Sequence, residues 1–337
     1  MGVKFKDLVV FEKVSVGDLA GRTLVVDGFN MLYQFLTTIR SRDGSVFTNH
    51  TGETTSHLIG LFSRVSNLMQ KGVRLAFVFD GEPPELKHRE LSRRKELKKE
   101  AKKKYEAALE SEDVEEMRKY AARTSRLTPP LVASAKALLK FLGIPYVQAP
   151  CEGEAQAAHM VSKGDGWAVA SQDFDSLLYG CPRLVQNLSI EGRRKLPGRF
   201  AYMTIEPKLI FLKETLEELS ISREKLIWLA MLVGTDYNPK GVARIGPKKG
   251  LALVKQHDSA ESLFSSVELA DDVDWRDVLE VIKFMPVTDD YSLEWSAVDR
   301  KGLYDFLVED NDFRPERVER ALDLIAAPKD QSTLGDF

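Results

Sequence analysis

The stretch PCEGEAQAA at 150–158 places Glu152 and Glu154 two positions apart, after a proline and before a run of small helix formers. Within a helix such neighbours point in different directions. One glutamate at a helix entry is explained by the positive end of the helix dipole; a second calls for a further reason. The aspartates supply one. Asp27, Asp80, Asp173, Asp175 and Asp236 each lie at the end of a short apolar run or near a helix end. Any one of them alone reads as an ordinary cap or turn residue. Gathered in one place, these carboxylates would repel by about 1–4 kcal/mol per close pair. Cations would explain such a gathering. Oxygen ligands without Cys or His select hard divalent ions, Mg²⁺ or Mn²⁺. One Mg²⁺ takes one or two carboxylates, so so many acids suit two ions about 3.5–4 Å apart, an arrangement for phosphodiester hydrolysis.

The elements that must position these acids are legible. TLVVD, LAFVFD and WAVASQD are short, apolar and bounded by glycine signals, and end at Asp27, Asp80 and Asp173. They read as buried strands of a parallel sheet. Between them, HLIGLFSRVSNLMQKG and LVASAKALLKFLG carry helical spacing. Strand, helix, strand is the βαβ pattern of an α/β fold with a central mostly parallel sheet flanked by helices. In such sheets ligands bind beyond the carboxyl ends of the strands, so aspartates there converge on one edge. From about residue 205 the chain reads as mainly helical, through IEPKLIFLKETL, REKLIWLAMLVG, KKGLALVKQ and DDVDWRDVLEVIKFM.

Two basic stretches accompany the acids. Residues 84–130 interrupt the strand pattern with one or two charged helices, and Lys87 to Lys104 holds ten Lys or Arg against three Glu. Leaving the fold directly after Asp80, this insert overhangs the acidic edge, where Lys87 and Arg94, two helical turns apart, share a face and can grip a phosphate backbone. The second stretch, ARIGPKKG, lies between two amphipathic helices. There Arg244, Gly246, Lys248 and Lys249 are candidate phosphate contacts; an ordinary helix–helix turn is the equal alternative. Tyr33 follows Asp27 by six residues and reads as a core residue or as a ring for stacking on a base.

Composition narrows the class. The chain has 337 residues, 43% hydrophobic, with a formal net charge of -3, so any case for nucleic acid rests on local charge. No apolar run approaches the roughly 20 residues that span a bilayer, and no signal peptide opens the chain. A soluble intracellular protein is expected. Cys151 and Cys181 form no CxxC pair, which speaks against zinc and disulfide scaffolds and for buried, reduced thiols. There is no GxxxxGK[ST] and no GxGxxG after a strand. DGFN at 27–30 lacks the DxD of an aspartyl phosphatase.

In order, VVDGFNMLYQFL, VFDGEPPELKHRELSRR, APCEGEAQAA, SQDFDSLLYG and GTDYNPKGVARIGPKKG resemble the flap endonuclease family of structure-specific 5′ nucleases, following its archaeal form from Gly2 to about residue 260. The resemblance implies a Mg²⁺-dependent enzyme, with Mn²⁺ as a substitute, that cuts DNA at the base of 5′ flaps in Okazaki-fragment maturation and repair, with 5′–3′ exonuclease activity. It implies one nuclease domain over 1–326, with a helical arch at about 84–130 and a helix–two-turn–helix at about 222–260. By position, Asp27, Asp80, Glu152 and Glu154 would serve mainly one ion, and Asp173, Asp175 and Asp236 the other. Lys87 and Arg94 match basic residues that contact the scissile phosphate, Tyr33 the tyrosine that stacks near the cut, and Gly2 the processed N-terminus. The helix–two-turn–helix would bind duplex backbone, with K⁺ in many members. Its hairpin departs from Gly-Ile-Gly-Pro-Lys, because Arg244 stands at the first glycine; the arginine side chain is then an alternative phosphate ligand. The tail, 327–337, ends in QSTLGDF, which resembles a sliding-clamp (PCNA) binding box with Gln331, Leu334 and Phe337. One terminal aromatic in place of two implies weaker clamp binding. A cytoplasmic monomer is expected. A related nuclease for RNA or nicked duplex, and a catalytically weak nuclease-like protein that binds DNA junctions, stand as alternatives.

Overall fold

The computed structural model describes residues 3, 5–111, 113–188, 192–195, 202–270 and 273–326. Gly2, Gln331, Leu334 and Phe337 lie outside them. The chain begins with β1 (Phe11–Lys13) and β2 (Thr23–Asp27), then α1 (Gly28–Thr38), α2 (Ser56–Gln70) and β3 (Arg74–Phe79). The basic insert follows as α3 (His88–Glu110) and α4 (Val114–Ala121), and α5 (Pro129–Phe141) leads to β4 (Tyr146–Gln148). Next come α6 (Gly153–Lys163), β5 (Ala168–Ala170), α7 (Asp175–Leu178), β6 (Arg183–Gln186), the hairpin β7 (Gly192–Lys195) and β8 (Tyr202–Ile205), and β9 (Lys208–Phe211). The remainder is helical: α8 (Leu212–Leu219), α9 (Arg223–Val233), α10 (Pro247–Gln256), α11 (Ala260–Ser265), α12 (Trp275–Lys283), α13 (Arg300–Tyr304) and α14 (Pro315–Ala326).

The main sheet runs β1-β9-β6-β5-β2-β3-β4. β2 pairs in parallel with both β3 and β5, and β3–β4 and β5–β6 are parallel as well; β9 is antiparallel to β6 and β1. The central strands alternate their side chains between two cores. Val25, Val78, Val169 and Leu184 face one, with α6, α9 and α12. Leu24, Val26, Phe77, Phe79 and Ala170 face the other, with α1, α2, α5 and α14. Burying one such Leu or Phe contributes about 1.5–3 kcal/mol, so the cores hold the strand ends rigidly.

From β2 the chain winds outward through β3 to β4, then returns across β2 to start β5 on its other side. The order therefore reverses between β2 and β5, and a crevice opens beyond the carboxyl ends at such a reversal. Asp27 ends β2 and Asp173 follows β5, one on either side of it.

Two expectations are corrected. WAVASQD is not a strand to its end: β5 stops at Ala170, and the Ser171 hydroxyl accepts the Asp173 amide at 3.2 Å, turning the chain. The region after 205 is not helical throughout, because KLIF forms β9, a strand with Leu209 and Ile210 buried. β-branched and bulky residues beside an open sheet edge favour the ladder over the helix.

Candidate metal and phosphate site

Asp27 caps α1, accepting the Asn30 amide at 3.0 Å, and is 6% exposed. Asp80 follows β3. Glu152 is the N-cap of α6 with extended backbone, and Glu154 lies in its first turn. Gly153, between them, explains the pair. Its amide donates to Asp80 at 2.7 Å, and a Cβ there would lie 2.6 Å from that carboxylate oxygen. A residue with a side chain would push Asp80 away from the helix entry. The turn then directs the two glutamates differently: Glu152 accepts from Lys87 Nζ at 2.6 Å, whereas Glu154 shares the Ser171 hydroxyl with Asp27, each 3.2 Å away.

The other acids are also held. Asn30 Nδ2 donates to Asp173 at 2.9 Å. Asp175, first residue of α7, accepts the Val3 amide at 2.8 Å, which ties Val3 to the site. Asp236, after α9, accepts from Arg94 Nη2 at 2.5 Å and lies 3.5 Å from Lys87 Nζ.

The acids share one field. Burial first, then Asp80 and Asp173, push the Asp27 carboxyl up to about 7, despite the hydrogen bonds from Asn30 and Ser171. Burial and then Asp173 likewise push Asp175 up to about 7. Glu154 is raised well above the usual range by burial and by Asp175, Asp27, Asp173 and Asp80. Burial raises Asp80 and Glu152 too, with Lys87 opposing in both. Lys87 itself would be lowered by burial, but Glu152, Asp236 and Asp80 hold its ammonium above the ordinary value. A chain gathers mutually repelling buried acids at a cost in free energy, and cations offset it.

Among the described residues no group of three or more His, Cys, Asp or Glu is placed to hold a metal ion as it stands. Two of the acids are engaged by the insert's own cations, Lys87 and Arg94. The donor set nevertheless fits a hard ion. It is all oxygen, burial and neighbouring carboxylates together raise Asp27, Glu154 and Asp175, and Glu152 Oε1 is buried with no hydrogen-bond partner.

Lys87 is not in the helix with Arg94, as the seven-residue spacing suggests. It ends a short 3₁₀ turn, Glu85–Lys87, and precedes α3. Both side chains still meet at Asp236, because the turn aims Lys87 inward. Tyr33 is 38% exposed, so it is not a core residue, and Lys98 Nζ lies 5.0 Å from its ring centroid. The helix pair α9 and α10 brackets the segment that holds Arg244, Gly246, Lys248 and Lys249, all four exposed. Arg244 has φ 63°, so it keeps the left-handed conformation that a glycine would adopt. The arginine side chain therefore stands on a turn of the kind a glycine readily makes. Asn30, Ser171, Gly153 and Glu90 were not singled out by sequence. Glu90 had a readable signal, since it precedes Arg93 and Arg94 by three and four residues; the others act across the fold and had none. Both cysteines are free and buried.

Comparison with known proteins points to one family. The XPG N-terminal domain matches residues 2–101 and the XPG I-region residues 143–236. Flap endonuclease 1 of Staphylothermus marinus is 48% identical over 328 residues, covering 96% of this chain and 94% of the relative. That of Aeropyrum pernix is 50% identical over 328 residues, again covering 96% and 94%. Among solved structures, flap endonuclease-1 from Methanococcus jannaschii superposes with a TM-score of 0.75 at 43% identity, covering 96% of this chain and 98% of that one. The catalytic core of Rad2 in complex with DNA shares the fold, with a TM-score of 0.71 at 22% identity, covering 96% and 100%. No described helix is long and apolar enough to cross a membrane.

Proposed function

The chain belongs to the flap endonuclease 1 family of XPG nucleases, and from that membership we propose a division of labour among its site residues. The activity is structure-specific hydrolysis of DNA at 5′ flaps, in replication and repair, and it uses divalent metal. The finer reading is two Mg²⁺ ions. Asp27, Asp80, Glu152 and Glu154 hold one, and Asp173, Asp175 and Asp236 the other. The ions supply an activated water and charge stabilisation at the phosphate. The chain's own residues do the rest. Asn30, Ser171 and the Gly153 amide fix the carboxylates. Lys87 and Arg94 leave Glu152 and Asp236 to take the scissile phosphate. Tyr33, exposed on α1, stacks on the neighbouring base.

Residues 1–326 work as one nuclease domain around this site, with α3 and α4 as the arch. The α10 N-terminus, with Arg244, Gly246, Lys248 and Lys249, binds duplex backbone, and K⁺ at that hairpin is part of the same reading. Gln331, Leu334 and Phe337 dock a sliding clamp, with the enzyme a cytoplasmic monomer. The convergence of acids and arch cations at Asp236 carries the reading. An end-labelled 5′-flap duplex tests it, beside a blunt duplex and a single strand, with Mg²⁺ and with EDTA. The expected result is metal-dependent release of the flap in one piece. Tight flap binding without cutting would overturn it in favour of a junction-binding protein. Equal cutting of all three substrates would contradict the structure selectivity.

Metal affinity should depend on pH in a definite direction. With carboxyls at about 7, Asp27 and Asp175 hold protons below that pH in the metal-free protein. An ion must displace those protons, so Mn²⁺ affinity is expected to rise from pH 6 to 7 by up to about tenfold per proton released, and to level off by pH 8. Calorimetry in two buffers of different ionisation enthalpy reads the protons directly. Affinity independent of pH, with no proton release, would contradict the assignment.

A further inference from the structure

The arch helix carries one carboxylate that is out of keeping with its surroundings. Glu90 is 3% exposed, in a helix whose only other buried residues are Ala101 and Ala108. Glu96 and Glu106 of α3 pair at the surface, with Lys99 and Lys102. Such exposed pairs act as solvated charge and little more. Glu90 instead accepts from two guanidinium groups. Arg93 donates through Nε at 2.6 Å and Nη2 at 2.8 Å, and Arg94 donates through Nε at 2.7 Å. The same Arg94 reaches across to Asp236 through Nη2, at 2.5 Å.

The way Arg94 divides its donors is informative. A guanidinium is planar and rigid, so fixing Nε on one carboxylate sets the plane in which the terminal nitrogens lie. Glu90 holds the inner nitrogen, within its own helix. One outer nitrogen, Nη2, faces Asp236 on the other side of the crevice. When Asp236 binds metal, Arg94 keeps Glu90 and its Nη2 becomes available to an oxyanion in the place Asp236 has left. Lys87 has no anchor of this kind, because both of its acid partners belong to the acidic cluster itself.

We propose that Glu90 is a positioning residue that holds the Arg94 guanidinium in the orientation it needs at the scissile phosphate, so that Asp236 and the phosphate occupy Nη2 in turn. The inference rests on the flap-endonuclease reading for the identity of the oxyanion, but its geometric half can be measured without substrate. Glu90→Gln keeps the shape and removes the charge.

A double-mutant cycle on the full chain tests it, with Glu90→Gln, Arg94→Ala and both together. Single-turnover cleavage of a 5′-flap duplex is read with Mg²⁺ and binding of the same duplex with Ca²⁺. Glu90→Gln is expected to slow cleavage by roughly tenfold or more, to change Kd less than about twofold, and to add nothing in the Arg94→Ala background. In ¹⁵N-arginine spectra of the metal-free protein, exchange of the Arg94 Nε proton is expected to be slow in the wild type and fast in Glu90→Gln. Slowing of equal size in both backgrounds would overturn the proposal, as would wild-type rates or unchanged Nε exchange in Glu90→Gln. A wild type that fails to cut the flap would sink the activity reading, and the Nε measurement would still decide whether Glu90 holds Arg94.

Discussion

Asp175→Ala is expected to lower single-turnover cleavage of a 5′-flap duplex by roughly 10³-fold or more while leaving flap affinity nearly unchanged. The charge stabilisation an ion gives at the transition state amounts to several kcal/mol, and each 1.4 kcal/mol is about tenfold in rate. Among the described residues, Asp175 accepts its hydrogen bond from the Val3 amide and from no side chain. Its carboxyl, pushed up to about 7, is a destabilising charge at higher pH in the metal-free protein. Removing it relieves repulsion from Asp173, so the variant is expected to melt at or above the wild-type temperature at pH 8 without metal. A loss of activity accompanied by a large loss of stability would mean that Asp175 serves the fold. Near-normal cutting would remove it from the metal set.

Lys87→Ala carries the second large effect, and its signature differs. Removing a preorganised donor from a developing phosphate charge costs about 10²–10³ in rate. Without metal, Lys87 is also the main counter-ion of Glu152, with a second contact to Asp236. The variant leaves a buried glutamate without compensation, at a cost of several kcal/mol at high pH. Metal-free Lys87→Ala is therefore expected to melt well below the wild type at pH 8, and Mg²⁺ to restore most of the difference without restoring the rate. Thermal melts with and without Mg²⁺, beside single-turnover rates, separate the two roles. A rate restored along with the melting temperature would show that Lys87 acts only as a counter-ion.

These expectations rest on features that sequence showed unevenly. Asp27 and Asp80 were legible because buried parallel strands are continuous apolar runs, and an acid ending such a run has no packing reason to be there. Glu152 and Glu154 were legible as a pair, but how they divide was not. That depends on Gly153 approaching Asp80, a contact between residues 73 positions apart. Asn30 lay in plain view beside Asp27, yet its partner Asp173 is 143 residues away. Strand β9 is hidden in the sequence because KLIF carries apolar residues that suit either period over so short a run. Lys87 was assigned to a helix face by spacing alone, and reaches its acids through a 3₁₀ turn instead. Arg244 stands where the resemblance leads one to expect glycine, and only the backbone angle shows that it adopts the left-handed conformation.

The central claim is that the converging acids hold divalent metal. Titration of Mn²⁺ into the full chain at pH 8, followed by the loss of free-ion EPR signal, tests it without substrate. Two saturable ions per chain are expected for the wild type, with at least one lost in Asp175→Ala. Absence of saturable binding, or identical binding in the wild type and the variant, would contradict the account.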